Sequence, residues 1–426
     1  MGGTEPMGGA TAKRVFGGVL LSGLAFVAFG LLGGGAAYGL EVTSQDADVD
    51  NTGVAVANSG GNVAQGNSNE GDQTAVNAQG AASGGGVAAN SGEASNKSTG
   101  SATIVTGNAT ATGNESSTGV SQGAASGGGG LQVTAQDADV DNAGVGIANT
   151  GLNAAVGNVN GDQTAVNGQL AIGVGGIAAN QGSASNVSRG SATIVTGNAT
   201  ATGNKSLTDI DQGAGHFGPG LGIVVQDADV DNAGVGIANT GLNLAVGNVT
   251  GDQLAVNGQL ALGLGGLAFN AGSATNVSSG DASIVTGSAN ATGNRSATSV
   301  HQGALAGGSW LLPTVVLQDI DVDNTGVGLA NTGLNLAVGN VTGSQLAVNL
   351  QLALGLGGLG VDTGSASNVS QGTAAIGTGG GTAVGNSSST ITSQLAVATG
   401  LPAAGAAPGV WLWFLLSGLL VAARRR

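Results

Sequence analysis

Three alternating aspartates, Asp46, Asp48 and Asp50, stand within the heptapeptide QDADVDN. The pattern returns at Asp137, Asp139 and Asp141, at Asp227, Asp229 and Asp231, and, as QDIDVDN, at Asp319, Asp321 and Asp323. Side chains two residues apart share one face of a strand, so each triplet is expected to turn three carboxylates to one side. Carboxylates so close repel one another unless water or a hard cation screens them, and Ca²⁺ takes oxygen ligands of this kind. Two readings follow: a loose Ca²⁺ site, with Ca²⁺ the one cofactor the pattern could take, or a solvated acidic stripe that keeps a β-rich body soluble. The whole chain carries 24 acidic against 9 basic residues. Such a field repels phosphate backbones and excludes nucleic acid as a partner.

Other chemistry is sparse. The string D-x-D-x-D-N resembles the opening of an EF-hand loop, but the twelfth position, where that loop needs a bidentate Glu, holds Ala57, Ala148, Ala238 and Ala330. His216 lies in a Gly-rich join, and His301 fills a slot taken by Ser121, Asp211 and Ser393 in neighbouring copies. No third partner is legible for either, so neither a catalytic triad nor a His-based metal site is expected. The absence of Cys excludes disulfides, a thiol nucleophile and a Cys-based zinc site. Gly355, Gly357 and Gly360 fit G-x-G-x-x-G, but with 85 Gly in 426 residues the match is a product of composition. No catalytic residues are assigned, and the reading is of a protein that is not an enzyme.

The elements that must position the aspartates are repeats. Gln45, Gln136, Gln226 and Gln318 open equivalent blocks, 91, 90 and 92 residues apart. A second block, GSATIVTGNATATGN, is identical at 100–114 and 190–204 and recurs in looser form at 280–294 and 372–386. The expected organisation is 40–130, 131–220, 221–310 and 311–400 as four repeats, between end segments 1–39 and 401–426. QGAASGGG at Gln79 and Gln122 suggests that a unit is a doublet. Helix is disfavoured by the density of Gly, Asn, Ser and Thr. Short alternating runs broken by Asn-Thr-Gly suit strands and turns. Asn recurs every nine residues, as at Asn149, Asn158 and Asn167. Together these predict an all-β fold, an elongated β-solenoid with stacked Asn ladders, rungs of roughly 18–20 residues and a rod on the order of 90 Å, flanked by hydrophobic helices. A coreless stalk and a string of β-sandwich modules are the alternatives; the latter needs aromatics, and the body holds only Phe217, Phe269 and Trp310.

The ends read as addresses. Lys13 and Arg14 precede an uncharged apolar stretch over 15–33, with small residues at Ala36, Ala37 and Gly39. This is the pattern of a secretory signal, cleaved near Ala37 or Gly39 or kept as an anchor helix. At the other end Leu401, Pro402, Ala403, Ala404 and Gly405 precede the apolar run 410–423 and Arg424, Arg425 and Arg426. That order resembles the cell-wall sorting signal of Gram-positive surface proteins, in which an LPxTG pentapeptide is cut by sortase and joined to peptidoglycan. Ala404 stands where that family has Thr. The resemblance implies cleavage between Ala404 and Gly405 and peptidoglycan as partner; the alternative is a C-terminal transmembrane anchor whose triple Arg stays cytoplasmic.

The function expected is that of an exported, surface-anchored structural or adhesive component of a Gram-positive-type envelope, with an unspecified extracellular ligand. Two further readings stand beside it. One is a self-assembling fibre subunit, since the Gln/Asn/Gly/Ala/Ser composition is similar to that of curlin-type repeats. The other is a repetitive surface for Ca²⁺, glycan or ice.

Overall fold

The computed structural model describes residues 39–399 apart from 128–129, 218–219, 308–313 and 357–358. The first repeat forms β1 (Gly39–Asn58), β2 (Val63–Asn69), β3 (Gln73–Gly84), β4 (Val87–Val105) and β5 (Ala109–Ser126). The second forms β6 (Gly130–Asn149), β7 (Ala154–Asn160), β8 (Gln163–Val174), β9 (Ile177–Val195) and β10 (Ala199–Phe217). The third forms β11 (Leu221–Asn239), β12 (Leu244–Thr250), β13 (Gln253–Leu264), β14 (Leu267–Val285) and β15 (Ala289–Gly307). The fourth forms β16 (Thr314–Asn331), β17 (Leu336–Thr342), β18 (Gln345–Leu356), β19 (Leu359–Gly377) and β20 (Gly381–Thr399). The fold is all-β, with no helix among the described residues. The hydrophobic helices expected at the two ends, and the pentapeptide at Leu401–Gly405, lie outside the described residues.

Every strand pairs in parallel with its equivalent one repeat away, so the five sheets run β1-β6-β11-β16 and likewise for the other four positions. Within a repeat, β1–β3 form one arm and β4–β5 the returning arm; β1 packs on β5, and β2 and β3 pack on β4. Each repeat is thus one flat, two-armed layer, and four layers stack. The two occurrences of QGAASGGG close the two arms, which is the physical content of the doublet.

The expected rung of 18–20 residues is corrected by this topology. One rung is a whole repeat, and four rungs at about 4.8 Å make a stack only about 14 Å between its outermost backbones, a slab and not a 90 Å rod. The nine-residue Asn spacing marks separate ladders on consecutive strands of one layer. Asn149 Nδ2 donates to Asn58 Oδ1 at 2.8 Å, Asn158 Nδ2 to Asn248 Oδ1 at 2.9 Å, and Asn167 Nδ2 to Asn257 Oδ1 at 2.7 Å. Each partner is a full repeat distant, because only there do backbone register and side-chain identity coincide.

The core between the arms is built mostly from Ala, with Val and Ile at a few columns. Ala148, Ala199, Ala201 and Ala238 form one buried cluster; Ala138, Val140, Ile210 and Val230 form another. Small side chains let the arms approach more closely than the ~10 Å usual for stacked sheets. At the waist even Ala is too large: a Cβ on Gly144 would lie 2.1 Å from the Gly203 carbonyl oxygen. At the tip the chain reverses through Gly85, Gly175 and Gly265, at φ of 93°, 72° and 70°, a region open to Gly at little cost. The corner between the first two strands of a layer uses Gly61 in the first repeat, but Leu152, Leu242 and Leu334 in the others, at φ of 63°, 62° and 57°. A left-handed Leu costs roughly 1–2 kcal/mol.

Candidate functional surfaces

Alternation decides what each face shows. In β6, Ala138 and Val140 point into the core, so Asp137, Asp139 and Asp141 must point out, as the triplet pattern requires. Register then does what no single repeat can. Asp46, Asp137, Asp227 and Asp319 stand in one column; Asp48, Asp139, Asp229 and Asp321 in a second; Asp50, Asp141, Asp231 and Asp323 in a third. The aspartates form a grid, about 4.8 Å between layers and about 6.7 Å along each strand. A Ca²⁺ ion, at about 2.3–2.6 Å from its oxygens, would have to bridge carboxylates of adjoining layers, but among the described residues no three of these twelve bring ligand atoms within 4.8 Å of one another.

The grid has an electrostatic cost. Burial, then the neighbouring carboxylates Asp139, Asp231, Asp50 and Asp48, push Asp141 up to about 6. Because this lies above the unfolded value, the folded chain holds the proton more tightly. The associated stability is fully present below about pH 3.8 and is lost as pH rises toward about 6. Unscreened, the shift corresponds to about 3 kcal/mol. Asp141 is only partly buried, and solvent screening reduces the effect to about 1 kcal/mol. Asp141→Asn is therefore expected to raise the urea midpoint at pH 8 and to leave it unchanged at pH 3.5. An equal gain at both pH values would show that charge is not the cause.

A second cluster gathers around His301, for which no third partner was read from the sequence. Asp211 on β10 stands directly across from His301 on β15, and Asp209 is two residues away on the same face. Their ligand atoms lie within 4.8 Å of one another, all exposed. Ser299 Oγ is 3.1 Å from His301 Nε2. Two carboxylates and an imidazole are a donor set for Zn²⁺ or a related ion. The signal was in the sequence: residues at equivalent places in consecutive repeats are neighbours in space, and Asp211 is the equivalent of His301. His216, in contrast, is buried, with its ring nitrogens 3.4 Å from Ser126 Oγ and from the Gly220 carbonyl oxygen.

A third surface was not read from the sequence at all. The outward positions of β13 and β18 are almost continuously apolar, from Leu254 through Leu264 and from Leu346 through Leu356. Leu350 is 64% and Leu356 61% exposed. The period-2 alternation of these runs reads as one buried face, yet here the buried face is Gln, Ala and Asn and the Leu face is the outer one. On the returning arm the outer positions of β9 mix hydroxyl and amide residues, Gln181, Ser183, Ser185, Ser191 and Thr193, with Ile177, Ala179, Val187, Val195 and Arg189. The block therefore displays an acidic grid and an apolar sheet on one arm and a mixed polar and apolar sheet on the other. No known protein family, curated protein or solved structure matches the chain, so its function has to rest on these surfaces.

Proposed function

We propose that the protein is an exported, surface-anchored structural element of a Gram-positive-type cell envelope whose flat, repetitive faces serve adhesion. The observation that carries this reading is the unbroken in-register stacking of four whole repeats. It produces a rigid block in which an outer position recurs from layer to layer, so weak contacts to a regular extracellular surface add up without any deep pocket. Export is supported by the basic–apolar–small order at the N-terminus, and anchoring by the Leu401–Gly405 pentapeptide, apolar run and triple Arg. Attachment is to peptidoglycan through a sortase, or to the membrane through the C-terminal span.

Cell fractionation of the intact protein and a Pro402→Gly variant tests the reading. Muralytic digestion is expected to release the intact protein where detergent does not, and the variant is expected to move to the detergent fraction. Equal detergent extraction of both, with no further release on wall digestion, would replace wall attachment by membrane residence. Recovery of both from the cytosol would remove the envelope reading altogether.

A further inference from the structure

We infer that the two open ends of the stack bind second copies of this chain, head to tail and in register, so that the fourth layer of one molecule receives the first layer of the next. This deepens the structural reading above and rests on it. The first observation is the backbone. The lower end exposes the free edges of β1 to β5, strands of 20, 7, 12, 19 and 18 residues; the upper end exposes β16 to β20, of 18, 7, 12, 19 and 19. Among the described residues no strand lies beyond these edges, so each presents ladder N–H and C=O groups, a template for another chain.

The second observation is the polarity of the side-chain ladders. Asn51 Nδ2 donates to Asn142, Asn142 to Asn232 and Asn232 to Asn324, always toward the upper end. The ladders that begin at Asn62, Asn67, Asn77, Asn96 and Asn114 run the same way. The Gln ladder runs opposite: Gln318 Nε2 donates to Gln226, Gln226 to Gln136 and Gln136 to Gln45. The upper end thus offers Asn324 Nδ2 and Gln318 Oε1 to a next layer, and the lower end offers Asn51 Oδ1 and Gln45 Nε2. Head-to-tail docking joins donor to acceptor in both ladders. Upper end on upper end in the same columns would set Asn nitrogens against Asn nitrogens and Gln oxygens against Gln oxygens.

Such a contact is heterologous, and a simple translation along the stack does not close, so it propagates. Two features restrain it. The column that begins at Asn90 ends at Asp362, whose Oδ1 accepts from Asn270 and whose Oδ2 accepts from Ala353 N–H, so the junction there sets acceptor against acceptor. The junction also brings Asp319, Asp321 and Asp323 against Asp46, Asp48 and Asp50 of the next copy. Other lower-end charges meet uncharged positions, as Glu41 meets Thr314, Glu93 meets Ser365 and Glu115 meets Ser387 in register.

The chain contains no Cys, which makes cross-linking direct. Thr52 and Thr325 are exposed and share one column. Inside one molecule they are about 14 Å apart, beyond a disulfide's reach, but across the junction they are neighbours at about 4.8 Å. The full-length double variant Thr52→Cys/Thr325→Cys, in non-ionic detergent at pH 7.5 with copper phenanthroline as oxidant, is expected to give a ladder of covalent multimers. A mixture of the two single variants is expected to give dimers, and each single variant alone only monomer. Adding Asp46→Asn, Asp48→Asn and Asp50→Asn to the double variant is expected to increase the ladder about tenfold by removing like charge from the junction. Cross-linking of either single variant with itself overturns the polarity. Absence of a ladder even with the three Asn substitutions, while cooperative melting persists, overturns the stacking and leaves the envelope reading to the fractionation test. Loss of cooperative melting overturns the rigid block on which both depend.

Discussion

Gly234→Ala is expected to abolish the native fold or to cost more than about 4 kcal/mol, an exceptional effect for a single methyl. A Cβ at Gly234 would lie 2.0 Å from the Gly293 carbonyl oxygen and 2.7 Å from Asn204 N. Both obstacles are backbone, so no rotamer change relieves the clash. The arms of the third layer would have to separate by more than 1 Å (roughly the shortfall from van der Waals contact), and the parallel ladder would pass that displacement to the layers above and below. Gly168→Ala is the matched control. Nothing lies within 4 Å of its Cβ position, and the equivalent residue in the first repeat is Ala78. There, lower chain entropy in the unfolded state is expected to stabilise by about 0.4–1 kcal/mol. Urea unfolding followed by far-UV circular dichroism measures both. A mild cost at Gly234 would mean that the arms are not in backbone contact at the waist.

Asn158→Leu is expected to destabilise by about 3 kcal/mol although the two side chains are similar in size. Asn158 is fully buried. Its Oδ1 accepts from Asn67 Nδ2 at 2.7 Å and Ser98 Oγ at 3.0 Å, and its Nδ2 donates to Ser188 Oγ at 3.0 Å and Asn248 Oδ1 at 2.9 Å. Leu supplies apolar volume but takes a partner from groups on four strands, β2 and β4 of the layer below, β9 of its own layer and β12 of the layer above, and burying unpaired polar groups is costly. Asn58, at the exposed lower end of its own ladder, is the comparison: Asn58→Ala is expected to cost less than about 1 kcal/mol, because water replaces the lost partner. If the buried and the exposed substitution prove equally mild, the ladders contribute register but little free energy.

Much of the architecture was legible before any coordinates. The exclusion of helix, the strand pattern, the four-fold repetition and the Asn ladders all follow from local chemistry. Gly, Asn and Thr disfavour helix, and identical residues at a fixed period can hydrogen-bond to themselves. The outward aspartates followed from alternation alone, since Ala47 and Val49 between them are the apolar members of the pair. The rung length did not follow. Asn at every ninth residue and Asn at every ninetieth are both periodic, and a one-dimensional string cannot say which period becomes the hydrogen-bonded neighbour.

The functional surfaces divide along the same line. Residue type and spacing in one repeat determined that three carboxylates share a face. Only the tertiary register, placing Asp46 beside Asp137 and Asp211 beside His301, turned isolated triplets into a grid and a lone histidine into part of a cluster. The Leu sheet shows the strongest dependence on tertiary structure. Alternation sorts side chains into two faces but does not say which face is buried. In β13 the inward places are taken by Gln253, Ala255, Asn257, Gln259 and Ala261, whose amides and methyls meet their equivalents in the neighbouring layers, and alternation then turns Leu outward.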